Sequence, residues 1–347
     1  MNNRTQHAQH PRVAVLGGGA WGTTLALVSL RAGNGTALYV RDEAACRVLT
    51  EERRHPHSLR GVTIPESLSV STDIEAVLAR ADAVILAIPT QKLRGALVPV
   101  RDLFLGKIVV SAAKGIEIGT LLRPSAIVEE VLSDETSPVC ALSGPNLSSE
   151  VAAGKPATTV VASRNVEAAS WIQSALIGAA FRIYTSIDIV GVETGGSLKN
   201  IIAIGAGIGD GLGAGDNAKA AFLTRGIAEI ARLGIAHGAQ PLTFAGLSGI
   251  GDLIATCSSP QSRNHQVGTG LATGASLEEV LSGMSEVAEG VDTTRAAVEL
   301  AHRTGVEMPI TEQMYKVLFE GKSAAEAVRD LMSREPKEEI HGRIESF

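Results

Sequence analysis

Between Glu193 and Asp210 the chain carries one charged residue, Lys199, in "GGSLKNIIAIGAG". Leu198, Ile201, Ile202 and Ile204 around it leave almost no polar face. A lysine in apolar surroundings loses hydration; its pKa falls, and it becomes a proton donor or acceptor near neutrality. A second uncharged region, "GLSGIGDLIATCSS", holds one carboxylate, Asp252, among Leu247, Ile250, Leu253 and Ile254. Asp252 is therefore the candidate partner of Lys199. Next comes Ser262-Arg263-Asn264, and a guanidinium offers a fixed fork of donors suited to phosphate or carboxylate. The plainer alternatives are a lysine that snorkels from a helix end and a solvated loop at Arg263.

A different chemistry is written near the amino end. "VAVLGGGAWGTTLAL" is an apolar strand, then Gly17-Gly18-Gly19-Ala20-Trp21-Gly22, then an apolar helix. Gly17, Gly19 and Gly22 match G-x-G-x-x-G, which allows a tight turn, close backbone approach to a pyrophosphate and close helix–strand packing. The helix start supplies free N–H groups for the anion. After the next strand, where an NAD site usually puts Asp or Glu, the chain has Arg41 and then Asp42. Arginine suits a 2′-phosphate, so NADP stands beside NAD, with Asp42 available to ribose hydroxyls. Later strands end in "AIPTQ", "SAAKGIE" with Lys114, and "ALSGPN" with Gly144 and Asn146. Ligands of open α/β sheets sit at such carboxyl ends.

Other motifs fail. Ser111-x-x-Lys114 follows a strand and lacks the partner motifs of acyl transfer. Gly321-Lys322-Ser323 has no upstream phosphate-loop glycine, and Asn146-Leu147-Ser148 is a sequon without a secretory route. The three cysteines are scattered and the eight histidines show no HExxH spacing, so neither a disulfide framework nor a metal site is expected. A net charge of −6 argues against nucleic acid as partner. The polar stretch MNNRTQHAQHPR has no apolar core, which with the cysteines suggests a cytoplasmic protein. The longest run free of charged residues, 233–251, is too rich in glycine for a membrane span.

These groups need elements to hold them. Runs at Val13–Leu16, Ala37–Val40, Ala83–Ile88, Lys107–Val110, Val139–Leu142, Thr158–Ala162 and Phe181–Tyr184 read as buried strands. Gln91–Phe104 and Arg123–Leu132 between them read as helices, which predicts an α/β, mostly parallel doubly wound sheet. After about Ile187 no strand is evident. Asp216–Leu233, Ser276–Ser282, Val291–Thr304 and Thr311–Glu320 read as helices, and the lysine helix is placed to start near Gly195. With 347 residues, two domains are expected: 1–187 dinucleotide-binding and 188–347 all-helical. The tail from Glu335 is charged and expected to fray.

In this order, "GGGAWGTTLA", "SAAKGIE", "LSGPN", "VETGGSLKN", "GLSGIGDLIATCSSPQSRN", "VAEGVDTT" and "VEMPITE" make the chain resemble bacterial-type NAD(P)-dependent glycerol-3-phosphate dehydrogenases from Arg12 to Leu331. The resemblance implies a Rossmann-like domain, a helical domain and a cleft site where dihydroxyacetone phosphate is reduced to sn-glycerol 3-phosphate for glycerophospholipid synthesis. It implies Lys199 as acid/base, supported by Asp252 and Lys114. Substrate would meet Lys114, Gly144, Asn146, Asn200, Ser262, Arg263 and Asn264. NADP or NAD would meet Gly17, Gly19, Ala20, Trp21, Gly22, Arg41, Lys114, Ser148, Arg263, Val287 and Glu289. A homodimer is expected. One departure stands out: after "SGP" the family usually has Ser or Thr then Phe-Ala, and this chain has Asn146-Leu147-Ser148. The rival readings are a similarly built dehydrogenase for a hydroxy acid or ketopantoate, and a non-catalytic nucleotide-binding regulator.

Overall fold

The computed structural model describes residues 11–284 and 287–335. Most of the polar amino-terminal stretch and all of the tail beyond Glu335 lie outside the described residues. One sheet runs in the order β3-β2-β1-β4-β5-β6-β7-β8. Its strands are β1 (Arg12–Leu16), β2 (Gly35–Tyr39), β3 (Ser69–Ser71), β4 (Ala83–Leu86), β5 (Ile108–Ser111), β6 (Val139–Ser143), β7 (Ala157–Ala162) and β8 (Phe181–Ser186). Only the β6–β7 pair is antiparallel. The expected α/β class is what the chain adopts. The sequence reading missed β3, whose three residues Ser-Val-Ser carry no apolar run.

Seven helices accompany the sheet: α1 (Ala20–Arg31), α2 (Glu43–Arg47), α3 (Ile74–Leu78), α4 (Thr90–Leu97), α5 (Pro124–Leu132), α6 (Ser148–Ala152) and α7 (Val166–Leu176). The sheet is covered on both faces, which explains the unbroken apolar reading of β1 and β4. Val13 and Val15 pack with α1 and α7, while Ala14 and Leu16 pack with α3, α4 and α5. The helix expected over Gln91–Phe104 ends as α4 at Leu97 and continues as a tighter 3₁₀ turn containing Pro99. Strand order turns back between β1 and β4, the crevice where such sheets take ligands.

Beyond Ile187 the described residues form helices only: α8 (Ile189–Gly211), α9 (Asp216–Ala236), α10 (Asp252–Ser258), α11 (Arg263–Ala272), α12 (Leu277–Ser282), α13 (Glu289–Thr304), α14 (Pro309–Phe319) and α15 (Ala324–Met332). α8 is the axle. It starts six residues before Gly195, capped by Asp188, whose Oδ1 accepts from Gly191 N at 2.9 Å. Nearly every residue from Gly191 to Ile208 is buried. Most of its glycines sit where neighbours press on the helix: a Cβ on Gly196 would stand 2.3 Å from Ser143 Oγ, and one on Gly207 would stand 2.1 Å from His265 O. Among the described residues no helix is long and apolar enough to cross a membrane.

Candidate active site

α8 delivers Lys199 into the seam between the sheet and the helices. Lys199 Nζ donates to Asp252 Oδ1 and to Thr256 Oγ1, each at 2.5 Å. The other oxygen, Asp252 Oδ2, accepts from Lys114 Nζ at 2.6 Å, and Lys114 also reaches Gly144 O at 3.3 Å. Lys199 is not the partnerless or snorkelling lysine that periodicity allows; one buried carboxylate holds two ammonium groups. Asp252 and Thr256 stand one turn apart on α10, so one face serves Lys199. That i, i+4 spacing was the signal for Thr256, which the sequence reading passed over. Burial pushes the Lys199 ammonium down to about 8; Asp252 opposes that fall and the Lys114 charge adds to it.

Ser262-Arg263-Asn264 is not a solvated loop. It opens α11: Ser262 is the N-cap, accepting from His265 N at 3.3 Å, and Ser262 and Asn264 are buried. Arg263 Nη1 donates to Val287 O at 3.0 Å, and Asn264 Oδ1 accepts from Gly290 N at 2.9 Å. These bonds bring α11 and the start of α13 together. Gly290 also fits tightly there, since a Cβ would meet Asn200 O at 2.8 Å. Burial pushes Glu289 up to about 7, against the pull of Arg263, Lys114 and Lys199. A cavity of about 140 Å³ lies between the halves, lined by Pro89 to Lys92, Lys114 and Gly115 on one side, and Val287, Glu289, Asp292 and Thr293 on the other.

At the far end of the same crevice the glycine loop has the shape the motif requires. Gly17 has φ +122°, where a side chain is strained, and a Cβ there would strike Ala87 O at 2.4 Å. A Cβ on Gly22 would sit 1.9 Å from Gly17 O, so helix and turn could not close with any larger residue. A Cβ on Gly19 would meet nothing within 4 Å, and no side chain caps α1. Open space at an uncapped helix start fits a pyrophosphate. The buried Nε1 of Trp21 has no partner, a donor left for a ligand. The residues present therefore fit a dinucleotide. His55, missed in the sequence, braces this loop. Its Nδ1 accepts from Ser58 N at 3.0 Å and His57 N at 3.3 Å, so Nε2 carries the proton and donates to Gly18 O at 3.1 Å.

Two expected residues face elsewhere. Asp42 does not turn to a ribose: it caps α2, with Oδ1 accepting from Ala45 N at 2.7 Å, and Arg41 stands exposed beside it. Asn146 gives its amide to Thr158 O at 2.9 Å and keeps a buried Oδ1 without a partner. Ser148 begins α6, and its carbonyl accepts from Thr24 Oγ1 of α1 at 3.2 Å.

Comparison with known proteins decides the family. Residues 12–169 match the family model of the NAD-dependent glycerol-3-phosphate dehydrogenase N-terminus, and residues 188–329 that of its C-terminus. The chain is 49% identical over 337 residues to glycerol-3-phosphate dehydrogenase [NAD(P)+] of Geobacillus thermodenitrificans, covering 96% of this chain and 98% of that one. The chain belongs to the NAD-dependent glycerol-3-phosphate dehydrogenase family. The dehydrogenase of Chlorobium limicola is 46% identical, over 95% of this chain and 99% of its own. A crystal structure of glycerol-3-phosphate dehydrogenase from Coxiella burnetii superposes with a TM-score of 0.89 at 34% identity, covering 93% of this chain and 99% of that one. A ketopantoate reductase from Ralstonia eutropha shares the fold alone, at 15% identity and TM-score 0.58. As a member of this family the chain is an NAD(P)-dependent oxidoreductase, which removes both rival readings.

Proposed function

We propose that this chain reduces dihydroxyacetone phosphate to sn-glycerol 3-phosphate in the 140 Å³ cavity and its rim, with Lys199 as the proton donor. The observation that carries the reading is the shared carboxylate: Lys199 and Lys114 both end on Asp252 at the meeting of the two halves. A nicotinamide held by these residues would supply the hydride. As negative charge grows on the substrate's carbonyl oxygen, Lys199 gives that oxygen its proton. Asp252 fixes the direction of the Lys199 ammonium, and Lys114 offers a second cation to the oxygen or its neighbouring hydroxyl. Lys199, Lys114 and Arg263 outnumber Asp252 and Glu289 by one charge, an excess that favours an anionic substrate. Ser262, Arg263 and Asn264 at the start of α11 receive the phosphate, with Gly144 and Asn200 around the rest of the substrate. Gly17 to Gly22, Arg41, Ser148, Val287 and Glu289 hold the cofactor.

The chain divides near Asp188 into a dinucleotide-binding part and a helical part. The product is a phosphorylated glycerol of the kind that glycerophospholipid synthesis consumes, in the cytoplasm, and the enzyme works as a homodimer. A steady-state assay of the purified protein tests the reaction: dihydroxyacetone phosphate is turned over with NADPH or NADH, and unphosphorylated dihydroxyacetone much more slowly. Equal rates on both ketones remove the phosphate site from the proposal.

A further inference from the structure

Six residues before Lys199, about 9 Å down the helix axis, α8 buries a second ionisable group that the reaction does not use. Glu193 is 4% exposed. Its Oε1 accepts from Ser125 N at 2.7 Å, and its Oε2 accepts from Ser125 Oγ at 2.5 Å and from Arg123 Nη1. Arg123 also donates to Ser125 Oγ at 2.9 Å, closing the set. Arg123 is the N-cap of α5 and Ser125 lies in its first turn. The carboxylate of a helix on one side of the seam thus caps a helix on the other. One turn on, Ser197 repeats the tie: Gly115 N donates to Ser197 Oγ at 2.8 Å, and Ser197 Oγ donates to Gly115 O at 3.1 Å. Gly115 follows Lys114 in the chain, so both contacts bear on where the two lysines meet.

We infer that Glu193 is a positioning residue: it locks α8 against α5 and so sets where Lys199 stands relative to the nucleotide-binding half. This rests on the reading of Lys199 as proton donor. Burying a carboxylate is expensive, and apolar side chains would join the halves at less cost. An apolar contact, however, lets a helix slide or turn, whereas donors converging on two oxygens fix its register. A proton donor carried by one half and a hydride site carried by the other need that register, because small misplacements cost large factors in rate.

The molecule contains its own control. Glu229 of α9, 1% exposed, makes a comparable buried cap at the start of α14, with two backbone amides and a hydroxyl and without an arginine: Ile310 N at 2.9 Å, Thr311 N at 2.8 Å and Thr311 Oγ1 at 2.6 Å. That cap lies wholly among the helices beyond Ile187. Glu193→Gln and Glu229→Gln are compared with wild type by melting temperature, NADPH binding by fluorescence, kcat, and the primary isotope effect with NADPH deuterated at the transferred position. Both variants melt lower. Glu193→Gln alone loses about ten- to a hundredfold in kcat, with an altered isotope effect and unchanged NADPH affinity. A Glu193→Gln enzyme that melts lower yet keeps kcat and the isotope effect overturns the proposal, as does an equal kcat loss in Glu229→Gln. If Glu193→Gln does not fold, Ser125→Ala, which leaves Arg123 on the carboxylate, is read by the same criteria. Wild type unable to reduce dihydroxyacetone phosphate sinks the assigned reaction; active wild type with an unaffected variant sinks only the lock.

Discussion

At the scale of single residues, Lys199 is a compromise between three influences. Burial drives its pKa to about 8, Asp252 restrains the fall, and Lys114 deepens it. A general acid must be protonated to act, so kcat/KM for ketone reduction falls as pH rises through about 8. The neighbours move this limb in opposite directions. Asp252→Asn removes a charge that favours the ammonium, and the limb shifts to lower pH. Lys114→Ala removes a charge that disfavours it, and the limb shifts to higher pH. A profile that moves the same way in both variants, or in neither, detaches the limb from Lys199. Lys199→Ala lowers kcat by about 10²–10⁴-fold with cofactor affinity nearly unchanged. Arg41 sets a second residue-scale outcome. Asp42 Oδ1 is engaged in capping α2, and the Arg41 guanidinium stands exposed at the chain position proposed to meet a 2′-phosphate. NADPH is then favoured over NADH or equal to it. Arg41→Ala raises the KM for NADPH about ten- to a hundredfold, the worth of one charge-assisted bond, and that for NADH much less. Untouched NADPH kinetics would make Arg41 a bystander.

At the scale of elements, what chemistry needs and what geometry hides are distinguishable. The strand–glycine–helix unit was legible because its residues are dictated by backbone contact: Gly17 and Gly22 admit no Cβ. Lys199 and Asp252 were legible because each is a lone charge in apolar sequence. α8 starts six residues before the expected position near Gly195, because tertiary packing overrides the poor helix propensity of Gly191, Gly195 and Gly196. α11 was invisible as a helix because its opening Ser-Arg-Asn is polar and its glycines dilute the pattern. That matters for function, since a helix start supplies N–H groups as well as the Arg263 fork. Arg263→Ala leaves a desolvated phosphate without one partner, a loss of about 2–5 kcal/mol, so kcat/KM for dihydroxyacetone phosphate falls about 30-fold or more. The slow rate on unphosphorylated dihydroxyacetone stays nearly constant. Equal losses on the two ketones would indicate general damage to α11 instead.

At the scale of the whole molecule, the question is whether two halves joined through a catalytic seam behave as one body. α8 argues that they do. Ile189 and Val192 pack with Ala141 and Val160 of the sheet, while Leu198 to Ile208 of the same helix build the core of the helical part. Losing either half exposes a face of α8, so the halves should unfold together. The chain provides separate reporters. Its two tryptophans, Trp21 and Trp171, both pack against the sheet core, and far-UV circular dichroism is weighted toward α8 and α9, the longest helices. Coincident melting curves by fluorescence and dichroism are the expected result. NADPH at a hundred times its Kd adds about 2.7 kcal/mol to the folded state. At about 2–4 °C per kcal/mol for a chain of this order, both curves rise together by several degrees. The glycine loop proposed for the cofactor is on the sheet side while Val287 and Glu289 are on the helical side, so a bound cofactor adds its own tie to that of α8 and both signals rise. A tryptophan transition that moves with NADPH while the dichroism transition stays in place would show that α8 does not couple the halves, and the fixed register at the active site would then need another origin.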